Sequence, residues 1–511
     1  MAKPSSRTSE PAGGVVDAIA DAIAAGAGLI GNLLARVERL AADAARDADS
    51  VAREATGLWD VLQTRLEEIA RAVRGAPRFA RVAGELLRIV AAYRWHTKIR
   101  VPFAAVFRES PETEALHARS AERLYALCVE LRGGVLKLGQ FASSRMDLLP
   151  DAYATALGRL QDRVPPAPAH AIVRRLAKEL GGDAADRFAT FDPQPIAAAS
   201  LAQVHAATLA DGTPVAVKVQ LPGIERLVEA DLAALQVVAP ALRDLLPFMD
   251  VEMFAAELSR AVRDELDYRA EATQAAAFAR LFADDADVVV PRVHAEHSTR
   301  RVLVLERLAG ARLTDYLDAC ETRGAAGAAD RDRLFATLIR CFCAQVLEHG
   351  LLHADPHPGN FLVLDGAAGP RLALLDFGCV QSYPAERRAA YARLCLAVLA
   401  GDAARMAEQF AAMGFATRDG DDAALAAFAE LFLQAFRADT DQPLAALEPG
   451  ALMQRILHLT RDNPIVAVPP DFVLLGRVFA TLGGLLMRYR PQVNLFQILT
   501  PYVWRAAQGD A

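Results

Sequence analysis

Apolar residues early in the chain recur at helical spacing. Ile19, Ile23, Gly26, Ile30, Leu33, Val37 and Leu40 alternate steps of four and three, a heptad seam of about three repeats that decays after Ala44. Leu58, Leu62, Leu66, Ile69 and Val73 repeat it more briefly. The seam fits two helices packed on each other or on the body of the chain, with a homotypic coiled coil or a membrane-surface helix as alternatives. Residues 1–14, rich in serine, proline and glycine, read as a tail. Residues 116–160 continue as helix up to Val164-Pro165-Pro166, and Ala169–Leu180 is a further helix closed by Gly181-Gly182. Near residue 195 the period shortens to two. Leu201–Leu209, a turn at Asp211-Gly212 and Val215–Val219 predict a β-hairpin, with further strands at Val288–Val293 and Arg301–Glu306. From about residue 330 helix returns, except around 351–378. Strands therefore gather in one segment of about 110 residues flanked by helices, a segregated α+β layout and not an alternating βαβ array.

The 511 residues amount to about three domains at roughly 150 residues each. With 53% hydrophobic and 23% charged residues, most of the chain can bury a core. A net charge of −7 argues against a general nucleic-acid binder. Six cysteines, none in a CxxC pair, suit a reduced, cytoplasmic compartment. Asp17 and Asp21 interrupt the only early apolar stretch, so no signal peptide is expected, and no uncharged apolar run is long enough to span a bilayer. Arg65–Arg108 is unusually basic, with Phe79, Tyr93, Trp95 and Phe103 interleaved. It reads equally as a surface for anionic lipid or as a solvated helix face.

Four features in fixed order carry chemistry. Val215-Ala216-Val217-Lys218 puts a lysine at the end of an apolar strand, where it can meet phosphate. Glu265-Leu266-Asp267-Tyr268-Arg269-Ala270-Glu271 lies in a helical stretch. At about 100° per residue Glu265 and Glu271 are widely separated there and can serve different partners. His353-Ala354-Asp355-Pro356-His357-Pro358-Gly359-Asn360 is a loop stiffened by two prolines, with the Asp-x4-Asn spacing of a kinase catalytic loop. Asp376-Phe377-Gly378 follows the apolar strand Leu372–Leu375 and suits a Mg²⁺ ligand on a hairpin. A zinc site built from His349, His353, Asp355 and His357 is the competing reading, but it leaves Lys218, Asn360 and Asp376 unexplained.

Gly134-Val135-Leu136-Lys137-Leu138-Gly139-Gln140 upstream, and Ala197-Ala198-Ala199-Ser200 where a glycine-rich loop would stand, complete the pattern. Together these motifs closely resemble the UbiB family of atypical kinase-like proteins, bacterial relatives of the mitochondrial ADCK proteins, over roughly residues 85–500. The resemblance implies an atypical protein-kinase-like bilobal fold. Residues 1–84 would be a variable tail and helices, 85–165 a helical KxGQ extension, 166–310 the N-lobe and 311–511 a helical C-lobe. It implies that Lys137, Gly139 and Gln140 form the KxGQ motif covering the nucleotide cleft, met by the ExD pair Glu265 and Asp267. Ala197, Ala198, Ala199 and Ser200 would be the alanine-rich nucleotide loop. Lys218 would contact phosphate with Glu271 as partner, Asp355 would be the catalytic aspartate, and Asn360 and Asp376 would hold Mg²⁺. Glu306 would fall at the adenine hinge.

The resemblance further implies ATP or ADP with Mg²⁺ and a role in isoprenoid-quinone (ubiquinone) biosynthesis or lipid homeostasis. The partners would be an anionic or quinone-precursor lipid and quinone-biosynthesis proteins, with contact at the inner face of the membrane. Self-association of the chain is left open by the heptad seam. After Gly378 the chain reads Cys379-Val380-Gln381-Ser382-Tyr383-Pro384 and enters a helix by about Glu386, too soon for a peptide-holding activation segment. A small-molecule kinase or ATPase is therefore expected, with a nucleotide-gated scaffold of little catalysis as the alternative.

Overall fold

The computed structural model describes residues 76–96, 111–143, 150–160, 166–182, 187–243, 251–417, 420, 425–427, 429–430, 465–467 and 469–508. The heptad seam lies outside them, as does most of the basic stretch. In chain order, four helices come first: α1 (Ala76–Trp95), α2 (Pro111–Leu131), α3 (Gly133–Ser143) and α4 (Asp151–Gly158). Helix α5 (Ala169–Leu180) precedes strands β1 (Phe188–Ala198), β2 (Ala202–Leu209) and β3 (Pro214–Gln220). Helices α6 (Ile224–Arg243), α7 (Val251–Asp264) and α8 (Tyr268–Leu281) lead to β4 (Val288–Val289), β5 (Val302–Glu306) and β6 (Ala311–Arg312). Then follow α9 (Leu313–Thr322), α10 (Gly324–Cys343), β7 (Leu351–His353), β8 (Phe361–Leu364), β9 (Arg371–Leu374) and β10 (Val380–Ser382). The remainder is α11 (Ala385–Ala400), α12 (Ala403–Met413), β11 (Ala416–Thr417), β12 (Ile465–Ala467), α13 (Pro470–Tyr489) and α14 (Leu495–Gln508).

Contacts divide the chain into two units. The first comprises Met1–Ala167, Ala198–Gln203 and Gln220–Leu266. Its core joins α1 through Val82 and Leu87, α2 through Leu127, α3 through Val135, α4 through Leu157 and α6 through Val237. Arg78 on α1 donates to Asp231 on α6 at 2.6 Å and to the Leu131 and Arg132 carbonyls. Asp231 is fully buried and also accepts from the Val135 N–H at 3.0 Å, which anchors the start of α3. Of the basic stretch, Arg78 thus turns inward, while Arg81 and Arg88 stay exposed on the helix face. Arg81 pairs with Glu130 and Glu85, Arg88 with Glu85, and Phe79 and Tyr93 pack on the core. Buried Glu85 and exposed Glu130 share these charges, and the helix core takes up the Phe79 and Tyr93 rings.

The second unit comprises Pro168–Ala197, Val204–Val219 and Asp267–Ala511. It holds the body of a sheet ordered β1-β2-β3-β5. From Val215 to Val219 of β3 burial alternates: Val215, Val217 and Val219 are buried, and Ala216 and Lys218 take the other face. The β2–β3 turn closes with Leu209 N–H on Thr213 O at 2.9 Å, and Asp211 Oδ1 accepts from the Thr213 N–H. A second sheet is ordered β4-β9-β8-β6, and β10 pairs with β7. The helical core lies around α8, α10, α11, α13 and α14, with Phe278, Phe335, Phe361 and Phe410 at its centre. After α10 the chain turns at Gly350, φ 64, where an added Cβ would stand 2.5 Å from the Tyr383 carbonyl. Glycine is required there on both counts.

Two local readings change. The acidic stretch 265–271 is not one helix: α7 ends at Asp264, and Asp267 caps α8 by accepting from the Arg269 N–H. The strand region also begins earlier than expected, at Phe188 in β1.

Candidate active site

Lys218 leaves β3 on the face opposite the three buried valines and is 16% exposed. Its Nζ lies 2.7 Å from Glu271 Oε1 and 3.0 Å from Asp376 Oδ2. Glu271 is 5% exposed, in the first turn of α8, whose positive end favours a carboxylate. Asp376, 43% exposed, follows β9 and accepts from the Gly378 N–H through its other oxygen at 2.9 Å. Burial alone would lower the lysine's pKa. Asp376 and Glu271 outweigh it and hold the pKa well above the ordinary lysine value. Lys218 thus stays an ammonium throughout the neutral range.

The aspartate loop is stitched to the same region. Its 3₁₀ turn, Pro358–Asn360, starts on a proline, and His357 Nδ1 accepts from the Gly359 N–H. Asn360 Nδ2 donates to Asp355 Oδ2 and to the Asp355 carbonyl, each at 3.0 Å. The Leu375 N–H donates to Asn360 O at 3.0 Å and the Ala354 N–H to Cys379 O at 2.9 Å. These two bonds set Asp355 and Asn360 in register with Asp376. Beneath them His353 is fully buried against Phe278, Phe361 and Phe377. Burial keeps its imidazole pKa below the ordinary value, despite the opposing pull of Asp355 and Asp376.

The donor set suits a hard divalent cation. The Asn360 amide nitrogen is spent on Asp355, so its amide oxygen is the atom left to offer, beside the Asp376 carboxylate. Among the described residues no cluster of three or more His, Cys, Asp and Glu could hold a metal alone. A cation here would complete its shell from phosphate and water, as Mg²⁺ does. The zinc reading finds no such cluster. His349 lies edge-on to Phe282, and His353 is enclosed by phenylalanines.

The remaining expected residues fall elsewhere. Lys137 and Glu265, both in the first unit, pair at 2.7 Å. Gly139 lets α3 approach closely: an added Cβ would stand 2.7 Å from both Cys128 Sγ and Leu160 Cδ1. Gln140 Nε2 reaches the Leu160 carbonyl at 3.5 Å. Asp267, in the second unit, caps α8 and pairs with Arg300 at 3.5 Å. Ala197 and Ala198 end β1, the Ala199 N–H donates to Ala202 O at 2.8 Å, and Ser200 is fully buried. The alanine stretch is therefore a tight, closed turn. Glu306 is exposed at the end of β5, with its N–H on Arg292 O; the Arg307 N–H is on Pro214 O. The Glu306 and Arg307 N–H groups are thereby used within the chain. Sequence reasoning passed over Tyr268, whose ring centroid lies 5.2 Å from Lys218 Nζ. A tyrosine at helical spacing reads as core; its position three before Glu271 was the available signal.

The model of the ABC1 atypical kinase-like domain matches residues 159–410. The chloroplastic "Protein ACTIVITY OF BC1 COMPLEX KINASE 8" of Arabidopsis thaliana is 33% identical over 399 residues, 72% of this chain and 51% of that protein. A Marinobacter nauticus protein named "Probable protein kinase UbiB" is 32% identical over 392 residues, 75% of this chain and 69% of that one. The chain spans about half the length of the Arabidopsis relative. Among solved structures, a Mycobacterium tuberculosis protein in complex with erythromycin is similar at TM-score 0.53 and 28% identity. The match covers 77% of this chain and 98% of that one.

Proposed function

This chain belongs to the ABC1 atypical kinase-like family, and from that membership we propose that it binds Mg²⁺-ATP or ADP and transfers or releases the terminal phosphoryl group. The observation that carries this reading is Lys218, held at 2.7 Å by Glu271 and 3.0 Å by Asp376, in register with Asp355 and Asn360. Phosphoryl transfer asks little covalent chemistry of a protein; it asks for positioned charge. Lys218 meets phosphate oxygens with a charge that neutral pH leaves intact. Asn360 and Asp376 offer the oxygens that hold the metal. Asp355, oriented by Asn360, aligns the attacking hydroxyl or water and takes its proton. When bound, Mg²⁺ neutralises charge on the phosphoryl oxygens. On the resemblance, the Lys137–Glu265 pair serves as the gate of the KxGQ extension.

The acceptor is proposed to be small or lipid-borne. Directly after Asp376-Phe377-Gly378 the chain enters β10, where Val380 pairs with His353 and Ser382 with Leu351, and α11 begins at Ala385. That leaves no span for a peptide-docking segment. On the family resemblance, the activity is proposed to serve isoprenoid-quinone synthesis or lipid homeostasis at a membrane surface. None of the described helices is long and apolar enough to cross a bilayer, so the proposed contact is peripheral within them.

The test is phosphate release from Mg²⁺-ATP by the full chain, with and without anionic liposomes, beside Asp355→Asn. Release that rises with liposomes and vanishes in the variant is expected. Nucleotide binding without release in either condition would contradict the enzymatic reading and leave a nucleotide-gated scaffold.

A further inference from the structure

Tyr268 is among the largest fully buried side chains, 2% exposed, at the first position of α8. Its backbone is fixed from two sides. Asp267 immediately before it caps the helix, and the Tyr268 N–H donates to the Arg300 carbonyl at 3.0 Å. From Arg300 the chain runs into β5, which pairs with β3 so that Leu303 stands opposite Lys218. The bond to Arg300 therefore registers the ring against the lysine, the cap fixes the helix start that carries it, and Nζ lies 5.2 Å from the ring centroid. Glu271 is three residues further along the same helix, so ring and carboxylate address one ammonium from neighbouring positions.

The three groups around Nζ differ in what else they can do. Glu271 is buried and pairs with the ammonium through both carboxylate oxygens. Asp376 is the most exposed of them and, on the proposed function, also serves the metal. The tyrosine face attracts a cation without carrying a net charge, so it neither repels a phosphate nor competes for a metal. We propose that Tyr268 is a positioning residue of the phosphate site: its ring face keeps Lys218 Nζ seated beside Glu271 when Asp376 is drawn to the metal. The ring–ammonium coupling stands on geometry alone; its consequence for nucleotide rests on the proposed function.

The experiment separates the two. First, thermal unfolding of the nucleotide-free full chain is measured for Tyr268→Leu, Lys218→Met and the double variant. The same cycle is run with Tyr268→Phe. The leucine cycle is expected to be non-additive, with a coupling of roughly tenfold in the folding equilibrium, and the phenylalanine variant should keep the coupling with Lys218. Second, Mg²⁺-ADP is titrated into proteins carrying phenylalanine with zero, one, two or three ring fluorines at position 268. The dissociation constant should rise stepwise, about twofold per fluorine, because fluorine drains the ring face without changing its shape. Additive leucine variants, or a flat fluorine series in protein that binds Mg²⁺-ADP, would overturn the proposal. Wild-type protein that fails to bind Mg²⁺-ADP would instead reject the proposed function, and the unfolding cycle would still decide the coupling.

Discussion

Each side chain of the cluster is constrained by another's charge. Lys218 and Glu271 form a pair with little access to solvent, so removing one partner strands the other. Glu271→Gln is expected to cost about 3 kcal/mol of stability, read from denaturant unfolding, because the buried ammonium then loses its buried carboxylate partner. Loss below about 0.5 kcal/mol would place the pair in the surface class. Most of the cluster was legible in the sequence: Lys218, Glu271, Asp355, Asn360 and Asp376 were named from motif order, and the structure brings them together through the contacts described above. Tyr268 was not, because burial and aromaticity alone do not distinguish a core ring from one facing a cation. The inward turn of Arg78 was hidden for a similar reason. Arginine residues advertise charge, but only the fold reveals that Arg78 has Asp231 as an internal partner.

Elements explain where local pattern and tertiary structure diverged. The stretch 251–281 has continuous helical character, yet Asp267 takes a cap geometry and divides it, leaving Glu265 with Lys137 and Glu271 with Lys218. The expectation of two different partners held, although the helix break and not angular separation is its cause. Strand β1 was hidden by Asp192, Pro193 and Pro195, residues that argue against a strand. As the edge of its sheet it need not use every N–H, so prolines are tolerated. The hairpin β2–β3 and helix α5, closed by Gly181 at φ 72, followed the expected pattern because turn and cap chemistry agreed with the period. Close packing at α3 gives a direct test. Gly139→Ala would force a methyl group against Cys128 and Leu160 and should lower stability by about 1–3 kcal/mol, visible as a lower melting temperature. An unchanged melting temperature would remove the packing role of this glycine.

The whole molecule is a kinase-like α+β chain whose chemistry-bearing cluster lies within one compact unit. The segregation of strands between helices foretold the class. Which residues pack into which unit depends on contacts between distant segments, such as α1 with α6 through Arg78 and Asp231, and no local period encodes them. None of the six cysteines forms a disulfide. Burial pushes the thiols of Cys128, Cys341 and Cys343 up to about 12 and that of Cys395 up to about 11. Raised values mean negligible thiolate at pH 8, so iodoacetamide should label these four only after unfolding. Rapid labelling of native Cys128 or Cys341 would contradict their burial, and of half-buried Cys343 or Cys395 their raised thiol pKa.

The central claim is that Lys218, Asn360 and Asp376 together hold a metal-bound nucleotide. Calorimetric titration of ADP with and without Mg²⁺, in wild type and Asp376→Asn, tests it most directly. Wild-type affinity is expected to fall at least tenfold when Mg²⁺ is removed. Asp376→Asn is expected to bind weakly and with little dependence on Mg²⁺. Equal affinity with and without Mg²⁺ in the wild type, or full Mg²⁺ dependence surviving in Asp376→Asn, would contradict it.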